Sequence, residues 1–125
     1  MKVLKTKVFA KWAKKNKVSD TMLSDSVDEI IAGNYEANLG GGIIKKRVAN
    51  KGRGKRGSAR TIVALKRGTN CFFIYGFEKN AKSNISDAEE KALKIMAKSL
   101  FEYTDKELLN FIKQGKLIEV NHDKK

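Results

Sequence analysis

The side chains able to do chemistry in this chain are almost all cationic. One histidine, His122, sits in a polar tail, and one cysteine, Cys71, sits inside an apolar run. Cys71 reads as a small buried hydrophobe; it excludes an internal disulfide and offers no metal-ligand spacing. Acid–base work must then fall to lysine, arginine, tyrosine or a carboxylate. The candidates crowd into residues 39–82: Lys45, Lys46, Arg47, Lys51, Arg53, Lys55, Arg56, Arg60, Lys66, Arg67, Lys79 and Lys82, opposed only by Glu78. Twelve cations against one anion make this third of the chain +11 of the formal +13. A field so local points to a polyanionic partner, whether nucleic acid, an acidic protein or an anionic lipid surface.

Were that partner RNA, these residue types would suffice to cut it. Cleavage by the 2′-OH needs a base for the 2′-OH proton, cations for the growing phosphorane charge, and an acid for the leaving 5′-oxygen. Clustered lysines suit the proton steps, because neighbouring cations lower a lysine pKa and leave a fraction neutral. Arginine suits the phosphate, because its fork matches two oxygens and it stays protonated. Tyr75 or another lysine is a candidate acid, and Tyr75 and Phe77 offer rings on which a splayed base could stack. The same basic patch with interleaved aromatics also describes a passive nucleic-acid-binding surface, so composition alone leaves both readings open. The Gly/Arg/Lys-rich loop at residues 50–58 lacks P-loop spacing and leads into a strand, which argues against a nucleotide cradle.

The elements that must position these groups fit one domain spanning residues 1–125, with 121–125 as a frayed tail. The longest apolar runs fall well short of a membrane span. A strand over residues 2–6 and a helix over 8–16 open the chain, with Phe9, Trp12 and Ala13 on one face and Trp12 as a core anchor. A second helix runs from Ser19 to Gly33, with Ser19 as cap, Leu23, Val27, Ile30 and Ile31 as its apolar stripe, and Gly33 as its stop. Its acidic residues, Asp20, Asp25, Asp28, Glu29 and Glu36 beyond it, read as a solvated face. Strands follow over residues 43–49, 60–67 and 71–77, the last two joined as a hairpin. Pairing Arg67 with Asn70 sets Ile62 opposite Tyr75 and Arg60 opposite Phe77, all on one side of the sheet. Capping boxes at Ser86–Glu89 and Thr104–Glu107 start two more helices. Ile85, Ala88, Ala92, Ile95, Met96 and Leu100 are expected to line the first, and Leu108, Leu109, Phe111 and Ile112 the second. A short edge strand over residues 116–120 ends a βααβββαα(β) order, an α+β fold with an antiparallel sheet.

The stretch LGGGIIKKRVANKGRGKRGSARTIVALKRGTNCFFIYGFEKNAKSNI resembles a branch of the RelE/HigB-type toxins of bacterial toxin–antitoxin systems. In that branch an LGGG start leads to K-x-R, then a GR-(G/S)-K-x-GG-x-R loop, then F-x-x-G-F-x-K-x-x-x-x-N-I. Leu39 to Val48, Gly52 to Arg60 and Phe73 to Ile85 follow this pattern, with Ser58-Ala59 as the departure. The resemblance implies a RelE-like fold: a twisted antiparallel sheet, two N-terminal helices packed on it, and a concave basic face opposite. It implies a cytoplasmic toxin that needs no metal or other cofactor, cleaves messenger RNA at the ribosome by 2′-OH attack, and is neutralised by an antitoxin, often of helix-turn-helix type. A gyrase poison of the ParE kind shares the superfamily and stays as the alternative, beside a non-catalytic nucleic-acid binder. Matched by position, the motif residues are Lys45, Arg47, Arg53, Lys55, Arg60, Phe77 and Lys79, with Lys46, Tyr75 and Lys82 beside them. Arg60 is expected to be essential, and Lys55, Lys79 and Lys82 are the leading general base or acid.

Overall fold

The computed structural model describes residues 1–49, 58–66, 70–78 and 82–122. Its strand β1 (Val3–Thr6) runs directly into helix α1 (Lys7–Lys15), because Thr6, the last residue of the strand, keeps an extended backbone and also caps the helix, its hydroxyl accepting from Phe9 N at 3.2 Å. Helix α2 (Asp20–Ile31) starts at Ser19, whose hydroxyl accepts from Met22 N at 3.2 Å. It stops before Gly33, which takes φ +90°. Leu23, Val27 and Ile30 are buried, in phase at i, i+4 and i+7, whereas Ile31 lies one step off that stripe and is 60% exposed, against expectation.

Four strands follow where three were expected. The extra one is β2 (Ala37–Gly40), which pairs antiparallel with β3 (Ile43–Ala49). Gly41 and Gly42 make the turn between them, with φ of +61° and +83°, the sign that a tight hairpin demands at both central positions. Gly42 has a second constraint: a Cβ there would lie 2.5 Å from the Phe101 ring. The glycine run is thus a hairpin turn on which a later helix rests. Strand β4 (Ser58–Leu65) pairs with β3 and with β5 (Cys71–Glu78), both antiparallel. Arg60 faces Phe77 and Ile62 faces Tyr75, as the hairpin geometry predicts. Nearer the turn the register slips by one, so that Val63 faces Phe73 and Leu65 faces Cys71. A β-bulge thus restores the expected alignment at the end that carries Arg60.

The sheet order is β2-β3-β4-β5-β1-β6, where β6 is Leu117–Val120. It is not wholly antiparallel: β1 lies parallel to β5 and antiparallel to β6. β1 buries Val3 on one face of the sheet and Leu4 on the other, which makes it an interior strand. One core, with Phe9, Leu23, Val27, Val63 and Phe73, packs α1 and α2 on the first face. The other, with Leu4, Ile62, Phe72 and Ile74, is covered by helix α3 (Asp87–Glu102) and helix α4 (Asp105–Lys113). The face opposite the N-terminal helices is therefore partly roofed.

Both expected capping boxes start these helices: Ser86 with Glu89 at 3.1 and 2.8 Å, Thr104 with Glu107 at 3.1 and 2.9 Å. The inner face of α3 agrees with the expected stripe at Leu100, and at Ile85 just before the helix, but not between them. Leu93, Ala97 and Leu100 are buried, while Ala88, Ala92, Ile95 and Met96 are exposed. Both stripes have helical spacing. The one that turns inward also carries Phe101, whose ring is seated on Gly42. On α4, Leu108 is buried and Leu109 exposed. His122 is held in place, its Nδ1 2.6 Å from Ser24 Oγ and its Nε2 3.3 Å from Asp28 Oδ1. Residues 123–125 of the expected frayed tail lie outside the described residues.

Candidate nucleic-acid interface

The cationic side chains of the second sheet face lie toward the end where β3 leaves and β4 returns. Cross-strand pairing sets Lys45 against Ile62 and Arg47 against Arg60, so Lys45, Arg47, Arg60, Ile62, Tyr75 and Phe77 share this face by alternation. Lys46 points the other way. It is buried beneath α2, donates to Asn34 O at 3.0 Å and pairs with Glu29 at 3.4 Å. Its ammonium satisfies the chain that leaves α2, and the structure separates it from the other expected contacts. Lys51, Arg53, Lys55, Arg56 and Lys79 lie outside the described residues.

Arg60 is the centre of the face. Its side chain is only 11% exposed, and its Nε lies 3.2 Å from Glu36 Oε1. Glu36 leads into β2 and Arg60 sits on β4, so this ion pair reaches across the intervening β3. Nη1 of Arg60 is buried and has no hydrogen-bond partner among the described residues. A guanidinium fixed at one nitrogen and unsatisfied at another is held in orientation and retains donor capacity for an anion. Phe77, across from it, is 4% exposed and belongs to the core. Its ring lies 6.1 Å from that of Tyr75 and supports the face from below, so it is not the exposed stacking platform expected of it.

Tyr75 and Lys82 meet at the edge of this face through Glu89, the capping-box residue of α3. Tyr75 Oη donates to Glu89 Oε2 at 3.1 Å. Lys82 Nζ donates to the same carboxylate oxygen in a short ion pair and to Tyr75 Oη at 3.3 Å. The Lys82 ammonium also stands 5.6 Å from the Tyr75 ring centroid. The electrostatic consequence reverses one expectation. The Glu89 hydrogen bond pushes the Lys82 pKa above its ordinary value, so Lys82 is held protonated rather than made into a partly neutral base. Lys82, with the Ser86 backbone N–H second, pulls the Glu89 carboxyl down to about 2.

The acidic segment therefore does more than solvate. Asp20 pairs with Lys5 at 2.7 Å, Glu29 with Lys46, and Glu36 with Arg60. Glu36 had no signal in the sequence, because its partner is two strands away. Glu89 had one, the capping box, but that motif predicts only the contact with Ser86. Cys71 is buried, and desolvation pushes its thiol up to about 12, as suits a packed hydrophobe. No helix among the described residues is long and apolar enough to cross a membrane. No curated protein matches the chain. A family model described as the RelE toxin of the RelE / RelB toxin–antitoxin system matches residues 1–120.

Proposed function

This chain belongs to the RelE toxin family of toxin–antitoxin systems, and from that premise we propose that it is an endoribonuclease that cuts messenger RNA, engaged at the ribosome, by attack of the 2′-OH. The observation that carries the reading is the state of Arg60: a nearly buried guanidinium, oriented by Glu36, with Nη1 unsatisfied on a cationic face. In this reading Lys45 and Arg47 hold the RNA backbone, and Arg60 meets the scissile phosphate and the charge that grows on it. The 2′-oxygen forms a bond to phosphorus while the bond to the 5′-oxygen breaks. The products are a 2′,3′-cyclic phosphate and a 5′-hydroxyl. Lys82, kept charged by Glu89, and Tyr75 beside it serve the leaving oxygen as the acid side. Lys55 and Lys79 are the candidates for the base. The cognate antitoxin would neutralise the protein by covering this cationic face or by displacing α3 and α4.

The test is to express the chain briefly and map the 5′-ends of cellular RNA. New 5′-hydroxyl ends at defined codons within translated messages are the expected result. Intact RNA together with trapped double-strand breaks in DNA would overturn the reading in favour of a gyrase poison.

A further inference from the structure

Glu89 occupies a position that helix capping alone does not require. Its Oε1 closes the capping box on Ser86 N at 2.8 Å, which is all the N-terminus of α3 needs. Its Oε2 turns to the sheet and gathers two donors, Tyr75 Oη and Lys82 Nζ, which belong to β5 and to the segment before α3. We infer that Glu89 is a positioning residue: it aims the Lys82 ammonium and the Tyr75 hydroxyl as one unit toward the leaving 5′-oxygen. This rests on the endoribonuclease reading.

The directions of the hydrogen bonds define how the unit works. Lys82 has three N–H donors, of which one goes to Glu89 and one to Tyr75. The third is directed by the other two. As the bond from phosphorus to the 5′-oxygen breaks, Lys82 gives a proton to that oxygen and becomes a neutral amine. The proton removed from the 2′-OH by the base restores it through solvent, so no proton is gained or lost over the cycle. Tyr75 cannot turn its own proton outward while it donates to Glu89, and so orients Lys82 rather than acting first. Of the other charged groups on these elements, β5 ends at Glu78, and α3 carries Asp87, Lys91, Lys98 and Glu102 beside a Glu90–Lys94 pair closed on itself at 3.1 Å.

Glu89→Gln separates this role from capping. Glutamine still accepts from Ser86 N, so the helix start survives, but the anion facing Lys82 is gone. Two readouts follow on the full chain. The NMR titration of the Lys82 side chain should move to lower pH in Glu89→Gln, and kcat for a defined message on ribosomes should fall about tenfold or more with its alkaline limb shifted the same way, KM changing little. Ser86→Ala, which weakens the cap alone, should lower the melting temperature and leave the pH profile in place. An unmoved Lys82 titration, or a Glu89→Gln profile that overlays wild type, would overturn the inference. A wild type that cuts no RNA would instead overturn the functional reading, and with it the use of the unit in catalysis, whatever the Lys82 titration shows.

Discussion

Two carboxylates set the behaviour of the two most important cations. Glu36 orients Arg60, and Glu89 keeps Lys82 charged. Arg60→Ala removes the guanidinium but leaves Glu36 a third exposed and able to find water. The expected stability loss is therefore about 1–3 kcal/mol, against a fall in cleavage of about 10²–10³, the usual cost of losing one preorganised donor. Thermal melts beside RNA cleavage assays separate the two effects, and a variant that melts early in proportion to its lost activity would argue for a structural arginine. The Glu89 pair makes a pH prediction. A carboxyl lowered from 4.5 to about 2 stabilises the fold above the first value and stops doing so as pH falls through the second. Acid unfolding curves should steepen between these limits and flatten there in Glu89→Gln. Identical curves would mean that the pair does not persist in solution. The pairing of Arg60 with Phe77 was reached from the sequence through a hairpin register that the structure keeps only beyond a β-bulge, which offsets a one-residue slip nearer the turn. Glu36 and the second role of Glu89 were not reached, since those contacts depend on how distant elements cross.

At the scale of elements, capping chemistry and glycine did most to make the fold readable. Ser19, Ser86 and Thr104 start helices where their side chains say they should. The strand β2 escaped because Ala37–Gly40 is short, with two glycine-adjacent residues and no run of β-branched side chains; only its turn and its pairing with β3 define it. The parallel neighbour of β1 escaped because nothing local in four residues encodes a partner seventy positions away. The α3 stripe misled because two faces of that helix have apolar spacing, and Phe101 on Gly42 decides between them. Gly76 offers the cleanest test of this packing. A Cβ there would lie 2.3 Å from the Trp12 ring, so the strand's glycine is the seat of the α1 anchor. Gly76→Ala should cost about 1–3 kcal/mol by overpacking and change the Trp12 fluorescence. Combining it with Trp12→Leu should recover much of that loss. A Gly76→Ala protein as stable as wild type, with unaltered fluorescence, would contradict the contact.

For the molecule as a whole, the sheet divides the labour. α1 and α2 build a core on one face, while α3 and α4 cover part of the other, which also carries Lys45, Arg47 and Arg60. If the face binds RNA as proposed, the +13 charge predicts a strong salt dependence, with a slope in log–log form of about −0.7 for each single-strand phosphate neutralised. Titrating RNA affinity against salt checks this, and a flat response would remove the electrostatic account. The central claim is that the cationic face cuts RNA through Arg60, and purified protein with ribosomes and a defined message tests it most directly. Wild type should leave fragments ending in 2′,3′-cyclic phosphate with 5′-hydroxyl partners. Arg60→Ala, folded by its melt, should leave about a hundredth of them or fewer. Equal cleavage by both proteins, or none by wild type, would contradict the account.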